Sequence, residues 1–162
     1  NENDIELSSK PKFSTWINQK IDHLFHETPT IKDDALWFLD GNKGAKDRKQ
    51  ALSILLNDGK DRIPLRDDNN SAADRRIIRN FFANTGITTD KKREKNVQYG
   101  EIKVPDPDSQ FFKAWKLIDN TLKSGSHVNP IDIINPLLQA PFGLSENIIK
   151  FLLTAYWKNR SN

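Results

Sequence analysis

The feature that most constrains this chain is its C-terminal run from Ser145 to Arg160, in which Ile148, Ile149, Phe151, Leu152, Leu153, Ala155, Tyr156 and Trp157 fill half the positions. A helix that is apolar around so much of its circumference belongs inside a fold rather than on its surface. Ser145 stands where a cap is needed, its hydroxyl placed to accept from the free N–H groups of the first turn. The rest of the chain must supply walls around this helix. Its 162 residues suffice for one core, which at this size buries roughly two-thirds of the unfolded surface.

Those walls read as helices. Ser8, Ser9 and Pro11 mark a helix start. Phe13, Trp16, Ile17, Ile21, Leu24 and Phe25 then recur every three or four residues, which predicts one apolar face on a helix ending near Glu27. Shorter periodic segments predict a helix over 31–39 with Ala35, Leu36, Phe38 and Leu39 inward, ended by Gly41. Another covers 45–56 with Ala51, Leu52, Leu55 and Leu56 inward. A fourth starts near Ser71 with Ile77, Ile78, Phe81 and Phe82 inward and stops before Gly86. Further helices are expected over 109–122, over 130–138 despite Pro136, and over 145–158.

Between them, residues 57–70, with Gly59, Pro64 and the run Asp67-Asp68-Asn69-Asn70, read as a loop. Residues 98–104 are the one plausible strand, closed by Pro105 and Pro107. The expected fold is mainly α: about seven helices in a compact bundle, with at most one short strand or hairpin near 97–104. One domain spans 1–162, and the polar stretch 86–108 is where a sub-boundary would fall.

Composition removes several function classes. With no Cys there are no disulfides, thiolate metal sites or Cys nucleophiles. No Met is present and the chain begins at Asn1, so it is expected to be a piece of a longer polypeptide. No stretch approaches the ~20 apolar residues of a membrane span, and the first residues lack the basic and apolar regions of a signal peptide. The expectation is a soluble, cytoplasmic chain without membrane contact or cofactor.

Charge is uneven. Residues 1–40 hold 4 Lys/Arg against 8 Asp/Glu, whereas residues 75–95 hold 7 against 2. Arg75, Arg76 and Arg79 fall on the fourth predicted helix, and Lys91, Lys92, Arg93 and Lys95 follow in a loop, with Phe81, Phe82 and Tyr99 interleaved. Arg75 and Arg79, four apart, share a face away from the apolar set. Such a cluster can neutralise phosphates of DNA or RNA, and aromatic neighbours can stack on exposed bases. A solvated helix face followed by a lysine-rich loop gives the same pattern.

The C-terminal segment has the local order of a helix–turn–helix. Residues 132–139 are followed by the turn Pro141-Phe142-Gly143 and the Ser145-capped helix. Placed in a DNA major groove as a winged-helix-like element, the second helix would present Asn147 and Lys150, with Thr154 or Lys158 beyond. Its apolar content favours burial instead. Leu-Leu-Gln-Ala-Pro-Phe-Gly-Leu-Ser and Ile-Ile-Lys-Phe-Leu-Leu-Thr-Ala, within residues 137–155, resemble a "PPFGL…LL-A" helix–turn–helix element of the large P-loop ATPases of BREX-like phage-defence systems. The resemblance covers about 25 residues around Pro141-Phe142-Gly143-Leu144. It implies a place in the helical portion of such an ATPase, away from the nucleotide. The stretch Gly41-Asn42-Lys43-Gly44-Ala45-Lys46-Asp47 lacks the GxxxxGK[ST] spacing, so ATP binding would belong elsewhere in the parent chain.

Two residue patterns have spacings that catalysis or metal binding could use. His23 and His26 have helical i, i+3 spacing but no third ligand implied nearby. Asp90 with Glu101-Ile102-Lys103 resembles the D…(D/E)xK pattern of metal-dependent nucleases, in which two carboxylates hold Mg²⁺ and a lysine stabilises charge. That pattern needs a hairpin in a mixed sheet, which this helical chain does not advertise. The expectation is a module without chemistry of its own that contacts nucleic acid or scaffolds other domains or subunits of a defence-type ATPase. A protein–protein adaptor is the alternative, and the nuclease is third.

Overall fold

A computed structural model describes residues 10–37, 44–57, 63–67, 72–82, 85–89, 92–94, 96–123 and 127–160. The fold is mainly α. Among the described residues the helices are α1 (Lys10–Leu24), α2 (Asp34–Trp37), α3 (Ala45–Asn57), α4 (Ala73–Phe82), α5 (Phe112–Lys123), α6 (Pro130–Leu138) and α7 (Glu146–Arg160). No described helix is long and apolar enough to cross a membrane.

The apolar C-terminal run is the axis of the core. α7 packs against α2, α3, α5 and α6, and Ile148, Ile149, Phe151, Leu152, Ala155 and Tyr156 are buried there. Phe81 of α4 meets Phe82 edge-on at 4.8 Å and lies 5.4 Å from both Phe111 and Phe151. Offset and edge contacts of this kind suit the ring quadrupoles.

The turn between α6 and α7 is held from outside. Gly143 adopts φ 57°, a left-handed conformation that suits a residue without Cβ. A Cβ there would also come within 2.6 Å of the Phe25 ring. Just after α1, the Glu27 N–H donates to the Pro141 carbonyl at 3.1 Å and the Thr28 hydroxyl to the Phe142 carbonyl at 2.6 Å. Phe142 and Leu144 are buried. Ser145 acts at the helix start as expected: its hydroxyl accepts from Ile148 N–H at 3.3 Å while donating to the Leu36 carbonyl.

Two segments read as loops contain strands. β1 (Ile63–Asp67), β2 (Lys92–Glu94) and β3 (Val97–Gly100) form an antiparallel sheet in the order β1-β3-β2. Pro64 hides β1 from a propensity reading, but β1 is an edge strand, where a residue without an N–H is tolerated. A register irregularity lies between Pro64 and Arg66. Ile63 and Leu65 are buried, and α4 packs on β1. The pairing continues past β3 in looser form: Thr88 bridges Ile102, Thr89 N–H donates to the Glu101 carbonyl at 2.8 Å, and Lys103 N–H to that of Ile87 at 2.8 Å.

The first helix has its expected amphipathic spacing but not its expected burial. Phe13 is 45% exposed, Ile21 48% and Leu24 56%. Its C-terminal end is fastened to the body through the Phe25–Gly143 approach, the two hydrogen bonds to the turn and the ion pair of Glu27 with Lys113 of α5.

Candidate nucleic-acid interface

α4 is strongly two-sided. Ile77, Ile78, Phe81 and Phe82 are buried, whereas Arg76 and Arg79 are exposed on the other side, with Arg75 half-buried between. Arg76 is steered by Asp33, a buried carboxylate 3.7 Å from its Nε. Asp33 is fixed in turn: one oxygen accepts from Ala35 N–H at 3.0 Å, the other from Asn80 Nδ2 at 2.9 Å. The guanidinium thus sits over a small polar hollow lined by Lys32, Asp33, Asp34 and Asn80, in a defined place while still facing water. Among the described residues, Arg79 has no carboxylate against it.

The backbone of the sheet sets further basic positions in register. In the ladder, Lys92 lies opposite Tyr99, and Arg93 and Arg66 both lie opposite Gln98, one from β2 and one from β1. Two arginines distant in sequence therefore flank one residue of the central strand. Arg66 stands outside the basic segment 75–95, in a stretch of loop-like composition whose one strand signal is the alternation of Ile63 and Leu65 about Pro64. Lys91 and Lys95 lie outside the described residues, as does Asp90.

Several predicted partners are not presented to a ligand. Phe81 and Phe82 are core, so they offer no ring face to a base. Asn147 was placed outside by the apolar periodicity but is 8% exposed, enclosed where α7 meets its neighbours. Lys158 is 2% exposed and donates through Nζ to the carbonyl of Leu55. The reason is position on the helix: α7 is surrounded on several sides, so polar residues near its apolar stripe are drawn in and need internal partners. Lys150 is exposed and lies 3.4 Å from Glu146, an ordinary i, i+4 pair.

The nuclease pattern is partly assembled at backbone level, since residues 87–89 pair with 101–103. Its lysine is already engaged: Lys103 Nζ pairs with Asp106. Among the described residues no group of three His, Asp or Glu is arranged to hold a metal. His26 uses Nδ1 toward the His23 carbonyl at 3.0 Å, and both imidazoles are exposed.

A comparison of the chain with protein-family models, characterised proteins and solved structures finds no match to any of them.

Proposed function

We propose that this chain contacts the phosphate backbone of a nucleic acid through the exposed side of α4, as a module without chemistry of its own. The observation that carries this reading is α4 itself: one side is core and the other presents Arg76 and Arg79. Arginine suits the task because its planar donors match phosphate oxygens. Phe81 and Phe82 are buried, and among the described residues no helix presents base-reading side chains beside Arg76 and Arg79, so the contact is to backbone rather than sequence. The resemblance of residues 137–155 to a helical element of BREX-like defence ATPases supports a place in such a larger protein, beside its other domains or subunits.

The test is a salt titration with a fluorescein-labelled 20-base-pair duplex. Two arginine–phosphate contacts give a slope of log K against log salt of about −1.8, or roughly a tenfold loss of affinity between 50 and 200 mM salt. A salt-independent affinity contradicts the reading. The adaptor alternative has its own observation, the exposed stripe of Phe13, Ile21 and Leu24 on α1. An apolar surface of that kind on an amphipathic helix is a common protein-binding feature.

A further inference from the structure

Away from α4, the facing sides of α5 and α7 enclose a groove of about 310 Å³. It is built around Asp119. That carboxylate accepts from Tyr156 Oη at 2.8 Å, from Arg160 Nη2 at 2.8 Å and from Lys123 Nζ at 2.5 Å. Arg160 Nε also donates to Tyr156 Oη at 3.0 Å. One α5 residue thus ties together two residues of α7, one turn apart. The hydrogen bond from Lys123 is the leading cause of a lowered Asp119 pKa, so the carboxylate stays charged and satisfied.

What remains around this node is apolar inside and cationic at the rim. Trp115 and Tyr156 pack ring to ring at 5.1 Å, and Phe112 and Val104 continue the lining. Lys116 lies over the Phe112 ring with its Nζ 4.9 Å from the centroid. Among the described residues no carboxylate pairs with Lys116. Three cations, Lys116, Lys123 and Arg160, therefore line a groove whose one carboxylate is already neutralised by two of them, beside an apolar slot at the small end of the range for ligand clefts, about 300–1,000 Å³.

We propose that the α5–α7 groove docks a short acidic segment of a partner protein, which lays one large apolar side chain against Val104 and Phe112 while its carboxylates meet Lys116 and Arg160. Charge complementarity chooses the acidic sequence, since an excess of cations at a rim favours oppositely charged partners and rejects basic ones. Burial decides against a nucleic acid in the same place. Trp115 is 3% exposed and Tyr156 6%, their rings turned to each other and to the core, so neither offers the open face on which a base stacks. The inference stands on the groove alone and is independent of the α4 surface.

The experiment follows the Trp115 indole Nε1–H in ¹⁵N-correlated spectra of the full chain. The probes are the peptide Asp-Glu-Phe-Asp-Glu, its Phe→Ala form, a Lys-Lys-Phe-Lys-Lys form and a ten-residue oligothymidylate. Lys116→Glu serves as the test variant, because Lys116 is exposed and outside the Asp119 node, and its melting temperature is measured beside the parent's. The acidic Phe peptide is expected to shift the Trp115 signal saturably, and the Phe→Ala and Lys forms to bind at least fivefold more weakly. Lys116→Glu is expected to weaken the acidic peptide at least fivefold with melting unchanged. The proposal is overturned by any of four results: no Trp115 shift with millimolar acidic peptide, equal binding of the Phe→Ala form, equal binding by Lys116→Glu, or a saturable Trp115 shift with oligothymidylate but not peptide.

Discussion

Lys158, buried near the end of α7, donates its ammonium protons to the backbone carbonyl of Leu55 in the last turn of α3. The carbonyls of a final turn lack partners within their own helix, and the helix dipole makes that end attractive to a cation. The lysine therefore completes α3 and fastens it to the central helix with one contact. Replacing it with Met keeps the stem but leaves the carbonyl without its charged donor. Lys158→Met is expected to cost about 1–3 kcal/mol, read from urea unfolding at constant m-value; a change below about 0.5 kcal/mol would place it among ordinary surface substitutions.

The enclosure of α7 sets the ranking of its substitutions. Leu152→Ala removes contacts in the core and is expected to destabilise by about 2–5 kcal/mol. Asn147→Ala is expected to cost about 1–2 kcal/mol, because a buried polar partner loses its hydrogen bond, whereas exposed Lys150→Ala stays within about 0.5 kcal/mol. Thermal and chemical unfolding of the three variants check the order. Equal effects for Asn147→Ala and Lys150→Ala would contradict the burial of Asn147.

The turn before α7 gives a coupled prediction. Gly143→Ala forces a side chain into φ 57° and against the Phe25 ring. The backbone part alone costs about 1–2 kcal/mol. Phe25→Ala in the same chain is expected to relieve the steric part but not the backbone part, giving a nonzero coupling in a double-mutant cycle. Strict additivity would show that the ring moves aside freely.

The Asp119 node predicts a pH dependence with a definite sign. The Asp119 pKa is lowered from 3.8, first by the Lys123 hydrogen bond, so its contribution to stability is present above that value. It is lost as the pH falls through the lower folded value. The Tyr156 pKa is raised from 10.0, chiefly by burial, so its contribution is present below 10 and lost as the pH rises through the folded value. Asp119→Asn is expected to flatten the stability profile below about pH 4, and Tyr156→Phe to flatten it above about pH 10. Unfolding midpoints measured across both ranges check each arm separately.

The parts of this fold with long, regular apolar spacing were legible in the sequence. Helices α3, α6 and α7 have nearly the predicted ends, because each combines periodicity with a clear start or stop such as Asn129-Pro130 or Ser145. The sheet was hidden for a local reason: β1 spans five residues around a proline, and β2 lies in a run of cations, so neither shows enough alternation to outweigh its loop-like composition. Burial was harder still. Phe13, Ile21 and Leu24 have core spacing but stay exposed, while Asn147 and Lys158 are polar yet enclosed. Periodicity tells which residues share a helix face; what covers that face depends on contacts from elsewhere in the chain. For the same reason the arginines of α4 could be read directly, but the register of Arg66 and Arg93 with Gln98 follows only from strand pairing, and the Asp119 node only from the approach of α5 to α7.

The most direct test of the proposed phosphate-contacting surface is charge reversal at its two exposed helical arginines. The double variant Arg76→Glu/Arg79→Glu leaves the apolar side of α4 untouched, but Arg76→Glu sets a second carboxylate beside the buried Asp33, so some loss of stability is expected and the affinities are compared below the variant's own melting temperature. Duplex affinity is measured for both proteins by fluorescence anisotropy at about 50 mM salt, where counterion release favours binding most. The account predicts binding by the parent chain and at least a tenfold loss in the folded double variant. Absence of binding by the parent, or equal affinity of the two proteins, would contradict it.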